Sequence, residues 1–210
     1  MIDLRPRRLV RSAWWLVRFE VSLYVSLARW VARRPDHGDG ATPYGYARLV
    51  SPVICLWIFA SAAEIPLVHV LLPWEGLRLA LLVLGVWGLA WMVGLLASMH
   101  VYPHLVTDQG IRVRSGPSFA VFVPWSAVTA AAKIDRDLPS TIRTIQIDES
   151  GTGTDAAVPV SGRVNVTLTL RDPMTVPTRE GERSVDSVSL WVDEPRELVA
   201  LARQRVSAPR

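Results

Sequence analysis

The sequence predicts an α + β membrane protein. It would comprise an N-terminal amphipathic helix, a two-helix transmembrane hairpin, and a β domain of about seven strands with a C-terminal helix. Three observations predict this. The apolar residues concentrate between Leu49 and Val101, and the stretch from Leu79 to Met99 carries no charge. After residue 102 the hydrophobic period changes from 3.6 to 2. Before the apolar block, arginines recur at helical spacing.

Residues 1–34 read as a basic amphipathic helix lying at a membrane interface. Arg11, Arg18, Ser22, Arg29 and Arg33 share one narrow sector at about 100° per residue. Val10, Trp14, Val17, Val21, Val25 and Ala28 occupy adjoining sectors, and Trp14, Trp15, Tyr24 and Trp30 add rings suited to the headgroup layer. Arg11, Arg18, Arg29 and Arg33 are the expected contacts to anionic headgroups. A third span is not expected here. Arg18 and Glu20 would lie near its centre, at about 2.5–3.5 kcal/mol per charge on insertion scales. Residues 35–48 read as a linker, because Pro, Gly and Asp dominate and no apolar period survives.

The hairpin is expected over 49–101, with spans at 49–72 and 77–101. Twenty-four residues at about 1.5 Å each exceed the ~30 Å hydrocarbon core. The turn Pro73-Trp74-Glu75-Gly76 is short enough to require antiparallel helices. The first span holds Glu64, Pro66 and His69. An ionisable residue inside a span is costly and tends to face protein or water, so Glu64, with His69 five residues on, is a candidate intramembrane functional pair. In the second span Ala90, Gly94 and Ser98 form a small-residue stripe suited to close helix packing, within the hairpin or between copies. Arginines flank the hairpin outside its turn, where only Arg78 stands beside Glu75. The positive-inside rule therefore makes both termini cytoplasmic and the chain a multi-pass protein of the plasma (inner) membrane.

The net charge of +4 belongs to the N-terminal arm. Residues 1–48 carry nine Arg against four acids, whereas residues 102–210 carry twelve Arg and one Lys against thirteen acids. The β region is therefore neutral, and a basic arm beside a span points to anionic lipid rather than nucleic acid. The single cysteine, Cys55, allows neither an internal disulfide nor a cysteine zinc site.

From residue 102 onward, Ile111 and Val113 alternate with Arg112 and Arg114. Val164, Val166, Leu168 and Leu170 alternate with Asn165, Thr167 and Thr169, and Val188, Leu190 and Val192 with Ser187, Ser189 and Trp191. Such alternation predicts sheets with one buried and one wet face. Shorter strands are expected at 119–123, 128–134, 142–148 and 157–160, with long loops at 135–163 and 171–186. Asp193 reads as an N-cap, followed by a helix with Leu198, Leu201 and Ala202 on one face.

Catalytic patterns are sparse. Gly151-Thr152-Gly153 lacks the third glycine of a dinucleotide fingerprint, and Gly116-Pro117-Ser118-Phe119-Ala120 lacks the second glycine of a nucleophile elbow. His100 and His104 have the i,i+4 spacing of a helical metal pair, but Pro103 lies between them, so they read as interfacial histidines at the membrane exit.

The stretch HLVTDQGIRVRSGPSFAVFVPWSAV, from His104 to Val128, resembles bacterial pleckstrin-homology-like domains of membrane proteins. Thr107, Asp108, Gly110, Ile111, Val113, Arg114 and Gly116 match the opening strand pair, and Pro124, Trp125 and Val128 the turn that follows. The resemblance implies a strongly bent β-barrel over 102–210 closed by the terminal helix. It carries over no catalytic residues. The expectation is a membrane-anchored, non-enzymatic binding or scaffold module with a protein partner, no cofactor and no metal. The alternative is a small oligomeric transport or proton-linked component built on Glu64.

Overall fold

A computed structural model describes residues 6–36, 38, 40–139, 141, 143–149, 153–178 and 181–207; the side chains of 6–13, 15 and 16 lie outside the described set. The chain is α + β. The described residues form four helices, two of them apolar and long enough to cross a membrane, and two open sheets of four and five strands. It divides into two compact units, a helical one (Met1–Pro35 with Pro52–Val101) and a β-rich one (Asp36–Ser51 with Tyr102–Arg210).

The helical unit contains α1 (Pro6–Val31), α2 (Ser51–Leu71) and α3 (Glu75–Val101). Their periodicities differ as their surroundings would require. α1 is strongly sided, whereas α2 and α3 are apolar all round. Pro66 lies inside α2, where it withholds one N–H from the helix ladder. α1 ends at Val31, and Arg33 follows with φ 53 and donates its N–H to the Trp30 carbonyl. Arg33 is therefore not on the helical stripe with Arg18 and Arg29.

The β-rich unit begins before the hairpin. Strand β1 (Thr42–Tyr44) pairs antiparallel with β2 (His104–Val106), which pairs with β3 (Gly110–Ser115), and β3 pairs with β4 (Phe119–Pro124). The expected 35–48 linker is thus corrected. Residues 36–51 are part of this unit, held by the β1 ladder and by Asp193, whose N–H bonds the Gly45 carbonyl while its carboxylate accepts the Arg48 N–H at 3.1 Å. The carboxylate that reads as a helix cap in sequence serves a chain segment 145 residues away.

After a 3-10 turn (Trp125–Ala127) the chain enters a second sheet, ordered β5 (Val128–Asp137), β8 (Arg163–Thr178), β9 (Gly181–Leu190), β7 (Asp155–Val158), β6 (Gln146–Asp148). The two sheets remain separate, so the expected closed barrel is corrected to an open pair of sheets. β7 pairs parallel with β9, Asp155 opposite Ser187 and Val158 opposite Leu190. The short strands expected at 142–148 and 157–160 form as β6 and β7, which make one side of the second sheet within the stretch otherwise read as a long loop. The loop expected at 171–186 is likewise the far part of the β8–β9 hairpin, beyond a register shift between Thr169 and Met174.

The register of β8 follows its alternation. Val164, Val166 and Leu168 are fully buried and Thr169 is exposed. Asn165 is buried against that pattern because its amide donates to the Val192 carbonyl at 2.7 Å and accepts the Val192 N–H at 2.9 Å. Both groups of one backbone residue are thereby satisfied. α4 (Pro195–Ser207) buries Leu198, Val199 and Ala202 in the core shared with Val113, Val166, Leu168 and Leu190.

Candidate functional site

The apolar surface of the helical unit is its dominant chemical feature. α2 buries no residue, and Phe59 and Val70 are 73% and 80% exposed. Its contacts with α3 are notches: Ile65 lies where a Cβ on Gly85 would stand, 2.9 Å from its Cγ1, and the Ser61 hydroxyl faces the Met92 sulfur at 3.8 Å. The other side of α3 receives α1. A Cβ on Gly94 would stand 3.1 Å from the Leu23 carbonyl oxygen, and Leu23, Ser26, Gly94, Ala97 and Ser98 are buried. At about 100° per residue Gly85 and Met92 lie nearly opposite Gly94 on α3, so α3 runs between its two neighbours. Of the small-residue stripe Ala90, Gly94 and Ser98, Gly94 is the point of close approach, and the partner it admits is α1 rather than the other arm of the hairpin.

A polar cluster sits on the same contact. The Trp87 indole N–H donates to the Tyr24 hydroxyl at 2.7 Å and to Glu20 Oε1 at 3.0 Å, and the Tyr24 hydroxyl also donates to that oxygen at 3.0 Å. Sequence periodicity shows that Glu20 and Tyr24 are one turn apart. It gives no sign that Trp87, 63 residues beyond Tyr24, completes the group.

Glu64 and His69 are both exposed on α2. Five residues turn a helix through about 500°, so the two side chains leave α2 about 140° apart and are not brought together. Neither has a side-chain partner among the described residues. Of the arginines expected at the membrane surface, Arg18 is exposed, and Arg29 is half-buried with its Nε donating to the Arg34 carbonyl at 3.3 Å. Arg33 is exposed beyond the helix end, and the Arg11 side chain lies outside the described residues.

His104 is not interfacial. It is fully buried in β2, stacked on Tyr46 with ring centroids 4.8 Å apart. Its Nδ1 accepts the Arg114 N–H at 2.9 Å, so Nε2 carries the proton and donates to the Trp191 carbonyl at 3.0 Å. Burial lowers its pKa to about 4, with the positive Arg114 adding to the fall and the Trp191 carbonyl opposing it. Tyr46 is pushed up to about 12, chiefly by burial, although its hydroxyl accepts the Gly116 N–H at 2.8 Å. Gly116 has φ 59, which the tight β3–β4 turn requires. Arg114, expected outward by alternation, is buried because its Nη1 bonds both the carbonyl and the carboxylate of Asp36.

A second group joins β5 to β7 and β9. Arg136 pairs with Asp155 and Asp148, while the other Asp155 oxygen accepts from Ser187 at 2.7 Å and Ser189 at 3.0 Å. Ser189 also bonds Thr167 at 2.8 Å. The carboxylate oxygens already hold donors and Ser189 is 1% exposed, so this group ties strands together and presents no activated nucleophile. Among the described residues no set of three or more His, Cys, Asp or Glu side chains is placed to hold a metal. No protein-family model, curated protein or solved structure matches the chain.

Proposed function

We propose that the chain is a membrane-anchored, non-enzymatic binding or scaffold module. α2 and α3 cross the inner membrane as a hairpin, and the β-rich unit works at the cytoplasmic face. The observation that supports this reading best is the exposed apolar surface of α2 and of α3 from Leu77 to Trp87, which water would not tolerate over such a length of helix. The flanking Arg29, Arg33, Arg34 and Arg48 favour the side of the β-rich unit as cytoplasmic and supply contacts to anionic headgroups.

The β-rich unit has its own core, and its polar clusters are engaged in holding strands together. It resembles pleckstrin-homology-like domains through the His104–Val128 stretch, and near-neutral charge over 102–210 favours a protein partner over a phosphoinositide. The test is capture of partners from native membranes with the full chain in detergent. The reading expects a defined protein that is lost when exposed residues of the β-rich unit are altered. Capture unaffected by such changes would remove the β-rich unit as the binding part.

Glu64 supports a second reading, an oligomeric transport or proton-linked component. A carboxyl on α2 without a partner among the described residues would be met by another copy in a bilayer. Glu64→Gln separates the two: the scaffold reading expects unchanged partner capture, and the transport reading expects lost activity in a folded protein.

A further inference from the structure

The contacts of α1 advance along both helices from Glu20 at Trp87, through Leu23 at Gly94, to the Trp30 ring 6.3 Å from the His100 ring, with the long Tyr24 side chain reaching back to Trp87. From Glu20 to Trp30 the partners move forward along α3, so α1 and α3 run parallel. A helix lying in the membrane plane would cross an upright α3 at one level. Here the contacts extend from Glu20 to Trp30 of α1, about 15 Å of helix. Gly94 precedes the end of α3 by seven residues, so Leu23 stands about 10 Å back along the helix from Val101.

The polar side chains of this part of α1 are satisfied within the helical unit. The Ser22 hydroxyl donates to the Phe19 carbonyl at 2.6 Å, and the Ser26 hydroxyl to the Ser22 carbonyl at 2.5 Å. Glu20 and Tyr24 close on Trp87. Such internal pairing is what a bilayer demands of polar groups and what water does not. Trp14, Val17, Val21 and Val25 meanwhile form an exposed stripe with the same apolar character as the exposed faces of α2 and α3. Arg18, on the flank of that stripe, has a long stem that lets its head reach toward the polar layer.

We propose that α1 is a third bilayer-embedded helix, and that its Trp14–Val17–Val21–Val25 stripe faces lipid acyl chains. This rests on the membrane reading of α2 and α3. It replaces the in-plane arrangement expected of a basic amphipathic helix with an upright one. Depth along α1 then changes from residue to residue, growing from Val31 back toward Val17.

The test uses the full chain with Cys55→Ser in vesicles of mixed phosphatidylcholine and phosphatidylglycerol. Single spin labels are placed through Val31→Cys, Val25→Cys and Val17→Cys, all on exposed positions. Phe59→Cys serves as the mid-span reference on α2, and Lys133→Cys as the aqueous reference on β5. The readout is the ratio of accessibility to oxygen over accessibility to a water-soluble nickel chelate. The proposal expects the ratio to rise several-fold from Val31 through Val25 to Val17, approaching the Phe59 value. Equal ratios at all three positions, with Phe59 still deep, would overturn the upright helix and leave the membrane reading standing. A Phe59 ratio as low as that at Lys133 would overturn the membrane reading itself. Low access to both reagents with spin–spin broadening at Val25 and Val17 would show that a second copy covers the stripe, and would overturn the lipid assignment. Val25 and Val17 report the same face, so one misfolded variant leaves the other to decide.

Discussion

Acidification should destabilise the β-rich unit through His104. Burial holds this ring neutral in the folded protein, with a pKa of about 4 against an unfolded value of 6.5. The unfolded chain therefore binds a proton between these values that the folded chain refuses. Stability from this group is complete above pH 6.5 and is lost progressively as pH falls to about 4. The difference of about 2.5 pH units corresponds to roughly 3 kcal/mol, at up to about 1.4 kcal/mol per pH unit. The variant His104→Asn isolates the part of the pH dependence that belongs to this ring. Its side-chain oxygen can still accept the Arg114 N–H, but it does not titrate and it forfeits the Trp191 contact. His104→Asn should be less stable at pH 7 by about 2 kcal/mol and should lose most of that deficit by pH 4.5. Chemical denaturation of the full chain in detergent, followed by fluorescence across pH 4–7.5, measures the difference. A constant gap between the two proteins over that range would refute the buried neutral imidazole.

Leu168→Ala should cost about 2–5 kcal/mol in the same assay, because the side chain is fully buried between Ala131 on β5 and Val188 on β9. Thr167→Ala should cost about 1 kcal/mol, since it removes one of the partners of buried Ser189 and leaves Asp155 in place; a larger loss at Thr167 than at Leu168 would reverse the register of β8. Asn165→Ala should cost more than 2 kcal/mol by leaving the N–H and C=O of Val192 without their amide, and a loss under 0.5 kcal/mol would show that water replaces it. Gly94→Val should lower the thermal midpoint of the full chain in detergent by the equivalent of about 1–3 kcal/mol, because its Cβ meets the Leu23 backbone. Gly88→Val, with open space around its Cβ, should leave the midpoint unchanged. Equal midpoints for the two variants would remove the α1–α3 contact.

The elements legible in the sequence were those whose period is set by one partner and one solvent. The charge-free run from Leu79 to Met99 and the alternations at Ile111–Arg114 and Val164–Leu170 are of that kind, and each forms the expected helix or strand. What escaped depends on partners far along the chain. Thr42–Tyr44 is three residues among Gly and Pro and becomes a strand only because β2 lies beside it. A short strand is legible near β7, at 157–160, but β7 is buried along its whole length, so with no alternation its bounds and its parallel pairing with β9 are not. Beyond Thr169 the β8 pattern is interrupted at Arg171-Asp172-Pro173, where the register shifts, and the strand beyond reads as loop. Among candidate site residues, Gly94 was legible as a packing position from its size, but the identity of its neighbour was not. Glu64 and His69 were conspicuous because charge is rare in an apolar run, yet rarity carries no information about which way α2 turns them. In the sequence Glu20 shows only as a barrier to insertion, because its partner Trp87 lies 67 residues away.

In the proposed arrangement α2 and α3 anchor the chain in the membrane with the β-rich unit on the cytoplasmic side. Ser118 lies exposed in the β3–β4 turn, and the most direct test is Ser118→Cys in a Cys55→Ser chain expressed in cells. An anchored chain stays in the membrane pellet after alkaline carbonate. With the β-rich unit cytoplasmic, a membrane-impermeant maleimide labels position 118 only once the cells are permeabilised. Release of the protein by carbonate, or labelling at 118 in intact cells, would contradict it.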